Sequence, residues 1–450
     1  MTALSRPFTT PWPAALAALG VAAGVAAAAS PKLAVGAAAG LVFVGIAVRA
    51  PALGLALFTV LSFFSVITAG SNLTIIKLAG LVLAGAVAAR SLRSGGVAAN
   101  LFRDHPWLAW LAVALGVWAT ASMMWALQAA TAETNAERLI EGLVLIFVVY
   151  GSVRSVADLR LVLWAFMAGA LLAAVYGLIH GSTNPNAATR LSGGIGDPNE
   201  LAAALVPSIA FAVALYATAR RRSGRVLVVG CAAVVCPALF LTQSRGGLLA
   251  FTAMVVVTVL FERRLRARAL VLAAVVASVG VAYFTLFASA SAAARIQSPG
   301  DGTGRVDLWS VAMSMARNHP LAGVGMGNFP AAAPAYTPGS ISLPRFDLIL
   351  FTPEVTHNTY LQTLAELGVV GLTVLAGLTG GALVVAVRAI RRAPDAPEEA
   401  AWLARATVIA AVGMFTAYFF FSAQFEKQLW LIVGLLAAIP VVLRARPREV

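Results

Sequence analysis

Three side chains in the sequence pair reactive chemistry with an unusual setting. Arg245 lies in Thr242-Gln243-Ser244-Arg245-Gly246-Gly247, a polar hairpin between two apolar runs. A guanidinium is a planar fork of donors that grips phosphate oxygens bidentately, and the glycines allow close approach. The alternative is an arginine that snorkels to the interface. Arg305 lies in Gly304-Arg305-Val306-Asp307-Leu308-Trp309, where Val306, Trp309, Met313 and Ala316 recur at helical spacing. That predicts an amphipathic helix with a cation in its first turn, opposing the dipole. An anionic ligand would satisfy both the guanidinium and the exposed amides; pairing with Asp301 or Asp307 is the simpler account. His357 follows Pro353-Glu354-Val355-Thr356 and precedes Leu361, Leu364 and Leu367, which predict a helix capped by Thr356. The positive end of a helix dipole keeps an imidazole neutral, the state that a general base needs. A purely structural histidine is the alternative.

The other candidates are weaker. His105 beside Pro106 reads as structural, and His319 in Arg-Asn-His-Pro reads as a helix C-terminal turn. His180 opens a polar loop and is undecided. Gly323-Val324-Gly325-Met326-Gly327-Asn328 lacks the spacing of a nucleotide loop and reads as a shaped turn. Cys231 and Cys236 share one apolar run and read as small buried residues. There is no HExxH, CxxC or Walker motif, so neither a metal site nor a cofactor is expected.

The elements that must carry these groups are membrane helices. Of 450 residues, 60% are hydrophobic and 11% charged, against about 25% charged in soluble domains. A water-soluble enzyme is excluded. Apolar runs recur at 14–29, 33–48, 51–69, 73–89, 107–127, 139–153, 161–179, 201–219, 226–243, 248–261, 270–288, 369–387, 406–423 and 428–443. They predict an all-α polytopic membrane protein, a bundle of 12–14 transmembrane helices. The first run reads as a retained helix rather than a cleaved leader. With the N-terminus inside, 22 Lys and Arg fall in inner segments and 9 in outer ones. Both termini are therefore expected in the cytoplasm, and the net charge of +14 reflects topology rather than nucleic-acid binding. The chain divides into transmembrane helices over 1–288, a large, partly helical extracytoplasmic loop over 289–356, and an amphipathic helix with the last membrane helices over 357–450. Loops of that length are commonly functional. The polar segments 180–200, 242–247 and 289–356 converge on the outer face.

The residues resemble a known group, the O-antigen ligase/polymerase superfamily of bacterial membrane glycosyltransferases. The resemblance rests on GDPNELA at 196–202, TQSRGG at 242–247, GRVDLW at 304–309, NHPLAGVGMGNF at 318–329 and THNTYLQTLAELGVVG at 356–371. It implies transfer of a glycan from an undecaprenyl-pyrophosphate-linked donor to an acceptor hydroxyl, lipid or glycan, on the outer face of the bacterial inner membrane. Cell-envelope polysaccharide such as lipopolysaccharide would be the product. The resemblance further implies that Arg245 and Arg305 hold the pyrophosphate and that His357 activates the acceptor, without a metal and with inversion at the anomeric centre. Ser244, Asn199, Asn358, Glu366, His180 and Arg190 are the supporting candidates. A polysaccharide repeat-unit polymerase of the same superfamily is an alternative reading. So is a lipid-linked glycan flippase, which would place ionisable groups at mid-bilayer on several helices; here those are chiefly Lys77 and Glu141.

Overall fold

The computed structural model describes residues 31–65, 75–93, 100–181, 190–261, 266–286, 304–337, 349, 351 and 353–444. The run at 14–29, Arg295, Asp301, Arg345 and the last six residues lie outside this set. The described residues form helices and turns with no strand. We number the helices longer than ten residues: α1 Pro31–Arg49, α2 Pro51–Leu61, α3 Ile75–Arg93, α4 Pro106–Ala121, α5 Ala129–Ser152, α6 Val156–His180 and α7 Pro198–Thr218. They continue as α8 Arg222–Leu241, α9 Arg245–Phe261, α10 Arg266–Leu286, α11 Arg305–Asn318, α12 Thr359–Arg392, α13 Glu398–Ala417 and α14 Lys427–Arg444.

Every apolar run from 33–48 onward coincides with one of these helices, so this is an all-α polytopic membrane protein. Eight helices among the described residues are long and apolar enough to span a bilayer. The expected 12–14 also counts shorter ones. α2 has 11 residues, and α5 carries Glu133, Glu137, Arg138 and Glu141 along its length. The bundle is graded from centre to rim. In α14, 83% of the spanning stretch is buried, against 22% in α3. Trp430 of α14 is fully enclosed, filling the space above Gly142, where a Cβ would lie 2.1 Å from the indole. Small residues allow the same closeness elsewhere: Gly413 of α13 packs against Val206 of α7. At the rim, Leu81, Trp110, Val117, Leu172 and Val226 face outward, as lipid contact requires.

Chain direction sorts the polar segments by end. One end of the bundle gathers 62–65, 122–128, 190–197, 242–244, the segment before α12, and 418–426 between α13 and α14. Hydrogen bonds confirm the grouping: Ser65 Oγ donates to Ile195 O at 2.9 Å, and Gln428 Nε2 to Ser62 O at 3.1 Å. The opposite end carries Arg49, Arg90, Arg93, Arg391, Arg392 and Arg444 in the last turns of their helices, where cations suit the dipole.

Lys77 and Glu141 are not isolated. Lys77 Nζ lies 2.8 Å from Glu137 and 2.9 Å from Glu141, a pairing across α3 and α5. Glu137 lies one turn before Glu141, so one ammonium meets both carboxylates.

Candidate functional site

The GDPNELA segment starts α7. Asp197 is the N-cap, its carboxylate accepting from Asn199 N at 2.7 Å and Glu200 N at 3.1 Å, with Pro198 at the first helical position. That cap fixes Asn199, whose Oδ1 accepts from Ser244 Oγ at 2.9 Å and from Arg190 Nη2 at 3.0 Å. Arg190 Nε donates to Thr242 O at 2.9 Å. Three of the predicted supporting residues thus form one network that locks the α8–α9 hairpin. Within it, Gln243 adopts a left-handed conformation (φ 50°), and Ser244 Oγ accepts from Gly247 N at 3.2 Å to cap α9. Arg245 is the first residue of α9. Gly246 presses against Phe420 and Gly247 against Ala202, where a Cβ would lie 2.5 and 2.7 Å from its neighbour.

Arg305 opens α11 as expected. Gly304, left-handed at φ 62°, leads into the helix and brings no capping side chain. The buried face differs from the prediction. Leu308, Val311, Ala312 and Met315 form a small separate core with Phe329, Ala333 and Ala365, while Val306 is 75% exposed and Met313 39%. Trp309 turns the other way, and its Nε1 donates to Thr356 O at 2.9 Å. Arg305 lies one turn before Trp309, so the two share a helix face.

The start of α12 also departs from expectation. The cap is Asn358 rather than Thr356: its side chain accepts from Tyr360 N at 3.1 Å and Leu361 N at 3.0 Å. His357 therefore precedes the helix instead of occupying its first turn, in a left-handed conformation (φ 51°). Such a backbone costs energy in a non-glycine residue and persists only when its surroundings hold it. They do so on both sides. Thr356, fully buried, donates to Asn358 O at 2.9 Å. Thr359 N donates to Tyr418 O at 2.9 Å and Phe421 O at 3.1 Å, and Ala423 N donates to Thr359 Oγ1 at 2.9 Å. The imidazole meets a group that sequence reasoning assigned no role: Glu354 Oε2 lies 3.6 Å from His357 Nε2. The neighbouring imidazole lowers the Glu354 pKa, partial burial opposing.

One turn joins these parts. Residues 418–423 receive Gly246 at Phe420 and bind Thr359 at Phe421 and Ala423. Thr356 Oγ1 also lies 3.4 Å from Ser422 Oγ. The backbone beside Arg245 and the residues on either side of His357 thus pack on the same turn, and Trp309 ties the Arg305 helix to Thr356.

Glu366 serves as an anchor. Fully buried, it accepts from Gly327 N at 2.9 Å, Phe329 N at 3.4 Å and Gln362 Nε2 at 2.9 Å. It thereby fastens the 318–329 loop, in which Gly323, Gly325 and Gly327 all have positive φ. Asn328 extends the fastening, accepting from Gln128 N at 2.7 Å. The loop is a shaped turn, as its sequence suggested. His319 caps α11, with Nε2 2.6 Å from Tyr336 Oη. His180 ends α6, bonded to Tyr176 O at 3.0 Å and stacked on that ring at 4.2 Å.

Residues 231–376 match the family model of the O-antigen ligase domain. Over this stretch the chain is similar to the O-antigen ligases. The matched stretch includes Arg245, Arg305, His357, Asn358 and Glu366, whereas Arg190 and Asn199 precede it and reach it through Thr242 and Ser244. Comparison with curated proteins gives no match. The matched stretch begins within α8 and ends within α12, and it includes α11 with its small core.

Proposed function

We propose that the chain transfers a glycan from an undecaprenyl-pyrophosphate-linked donor to an acceptor hydroxyl, at the polar end of the bundle and on the outer face of the cytoplasmic membrane. The observation that supports this reading is the 418–423 turn, on which pack Gly246, next to Arg245, and Thr359, two residues after His357. The Arg245 and Arg305 guanidiniums take the pyrophosphate oxygens. His357 takes the acceptor proton on Nδ1, since Nε2 faces Glu354. The acceptor oxygen then bonds to the anomeric carbon while the carbon–oxygen bond to pyrophosphate breaks. The electron pair leaves on the pyrophosphate, whose growing charge the arginines stabilise, and Glu354 stabilises the imidazolium. A single displacement inverts the anomeric centre. The polarised distribution of side chains favours chemistry at one surface over passage through the membrane, because Lys77 is already neutralised by Glu137 and Glu141.

Transfer from a purified undecaprenyl-pyrophosphate glycan in nanodiscs tests the reaction, and the product distinguishes a ligase from a polymerase: a new glycan–acceptor linkage or a lengthened repeat chain. Orientation is tested separately with an impermeant thiol reagent on intact cells. Met124, 87% exposed at the polar end, should label as Met124→Cys, and Ser223→Cys should not. The reverse pattern would remove the outer-face assignment.

A further inference from the structure

The end opposite the site holds a pocket of another character. It occupies about 280 Å³ between the start of α4 and the ends of α12 and α14. Arg388, Arg392 and Arg444 line it with His105, Trp107 and Pro440, and among the described residues no carboxylate lines it. Asp104, next to His105, is engaged by the Tyr150 hydroxyl at 2.7 Å. Burial holds the His105 imidazole below its usual pKa, with Asp104 opposing and Arg444 adding to the effect. The positive charge of the pocket is therefore that of three guanidiniums.

The helix dipole explains why arginines occupy last turns. It does not explain this convergence. Arg388 lies a full turn before Arg392 on the same face of α12, and like charges at that spacing destabilise a helix. Arg444 of α14 faces them across the cavity. Arg391, in the same last turn of α12, does not line it. The rest of the lining is apolar, chiefly Val385, Ala389 and Leu443. Trp107 packs on Gly381, where a Cβ would come within 2.4 Å of its ring, and is 45% exposed, as an aromatic at the headgroup level is. A cationic bowl with an apolar floor and an interfacial tryptophan suits one kind of occupant: a phosphate carrying a glycerol and acyl chains.

We propose that this pocket binds the headgroup of an anionic phospholipid, its phosphate held by Arg388, Arg392 and Arg444. Bound lipid would pin together α4, α12 and α14. Two of these, α12 and α14, start at the polar end, so the lipid would brace the helices that carry the site without touching it. The proposal is independent of the reaction.

The test uses the full-length protein in nanodiscs of phosphatidylcholine, with or without phosphatidylglycerol, reading Tm and the lipid retained on delipidation. Phosphatidylglycerol should raise Tm. The Arg388→Gln/Arg392→Gln/Arg444→Gln variant should lose that rise and retain at least about ten-fold less of the lipid. Arg220→Gln/Arg221→Gln/Arg222→Gln, an equal loss of exposed charge at the same end, should behave as wild type. Should the triple variant fail to fold, Arg392→Gln alone should show a smaller loss in the same direction. Equal losses in both triple variants would reduce the effect to general surface charge and overturn the pocket. Inorganic phosphate matching the rise in pure phosphatidylcholine discs would overturn the lipid assignment.

Discussion

The two ends of this bundle use arginine differently. At the opposite end, Arg49, Arg90, Arg93 and Arg391 occupy the last turns of helices that would end there whatever their partners. At the polar end, Arg190 is held at both Nε and Nη2 by a network that also caps a helix. Arg245 follows a left-handed turn, with glycines packed at van der Waals limits behind it. An anchor needs only to be positive and near water. A ligand needs a fixed direction, and the fold spends caps, glycines and strained backbone to supply one. The same residue type therefore marks topology in those last turns and, in the proposed reading, serves a ligand at the polar end.

The sharpest way to break this contrast is to remove the base. General-base assistance is typically worth about 10²–10⁴-fold, so His357→Ala should lose turnover by that order while still binding the lipid-linked donor. Normal turnover would end the assignment, as would loss of donor binding as complete as the loss of activity. Next come the arginines. Arg245→Lys and Arg305→Lys keep the charge but lose the fork; each should lower kcat by about 10²–10³-fold, the usual cost of one preorganised donor. Arg391→Lys at the far end should leave kcat unchanged, and equal losses at both ends would erase the distinction. Asn199→Ala leaves Ser244 and Arg190 without their shared acceptor, so thermal unfolding should show a loss of about 1–3 kcal/mol. Arg245 would also be misplaced.

The smallest effect belongs to Glu354. Its carboxylate has a lowered pKa beside His357, so the pair stabilises the fold above the ordinary glutamate range and loses that contribution as pH falls through the lowered value. Glu354 and His357 are 44% and 31% exposed, and solvent screening keeps such pairs near 0.2–1 kcal/mol. Glu354→Gln should therefore cost little stability at neutral pH and none in acid, while lowering kcat with KM unchanged. An unchanged kcat would reduce the pair to a surface contact.

The parts legible in the sequence were those fixed locally. Apolar runs mark the helices, Asp197-Pro198 announces the start of α7, and the alternating glycines at 323, 325 and 327 announce a turn. What escaped depended on partners far along the chain. The α11 segment carries two apolar stripes, one with Val306 and Met313 and the other with Leu308, Val311 and Met315. Periodicity cannot choose between them; packing against Phe329 and Ala365 does. Thr356 and Asn358 are both good caps, and the choice fell to Asn358 because Thr356 is engaged with the Asn358 carbonyl. Glu366 read as a polar member of a motif; its work of holding Gly327 and Phe329 is visible only once the loop has folded onto it.

The bend in α12 turns the site into a measured distance. Gly368 leaves the helical conformation (φ 68°, ψ −171°) with Leu321 O where a Cβ would stand, 2.1 Å away. The bend is therefore clamped to the 318–329 loop, and the segment between Asn358 and Gly368 acts as a spacer of set length, about 1.5 Å for each residue. One residue added between Thr359 and Leu367 would preserve every apolar match to the membrane. It would also swing the His357 end about 100° around the axis, away from the turn that holds Thr356 and Thr359. Length, in this stretch, positions His357 as much as any side chain does.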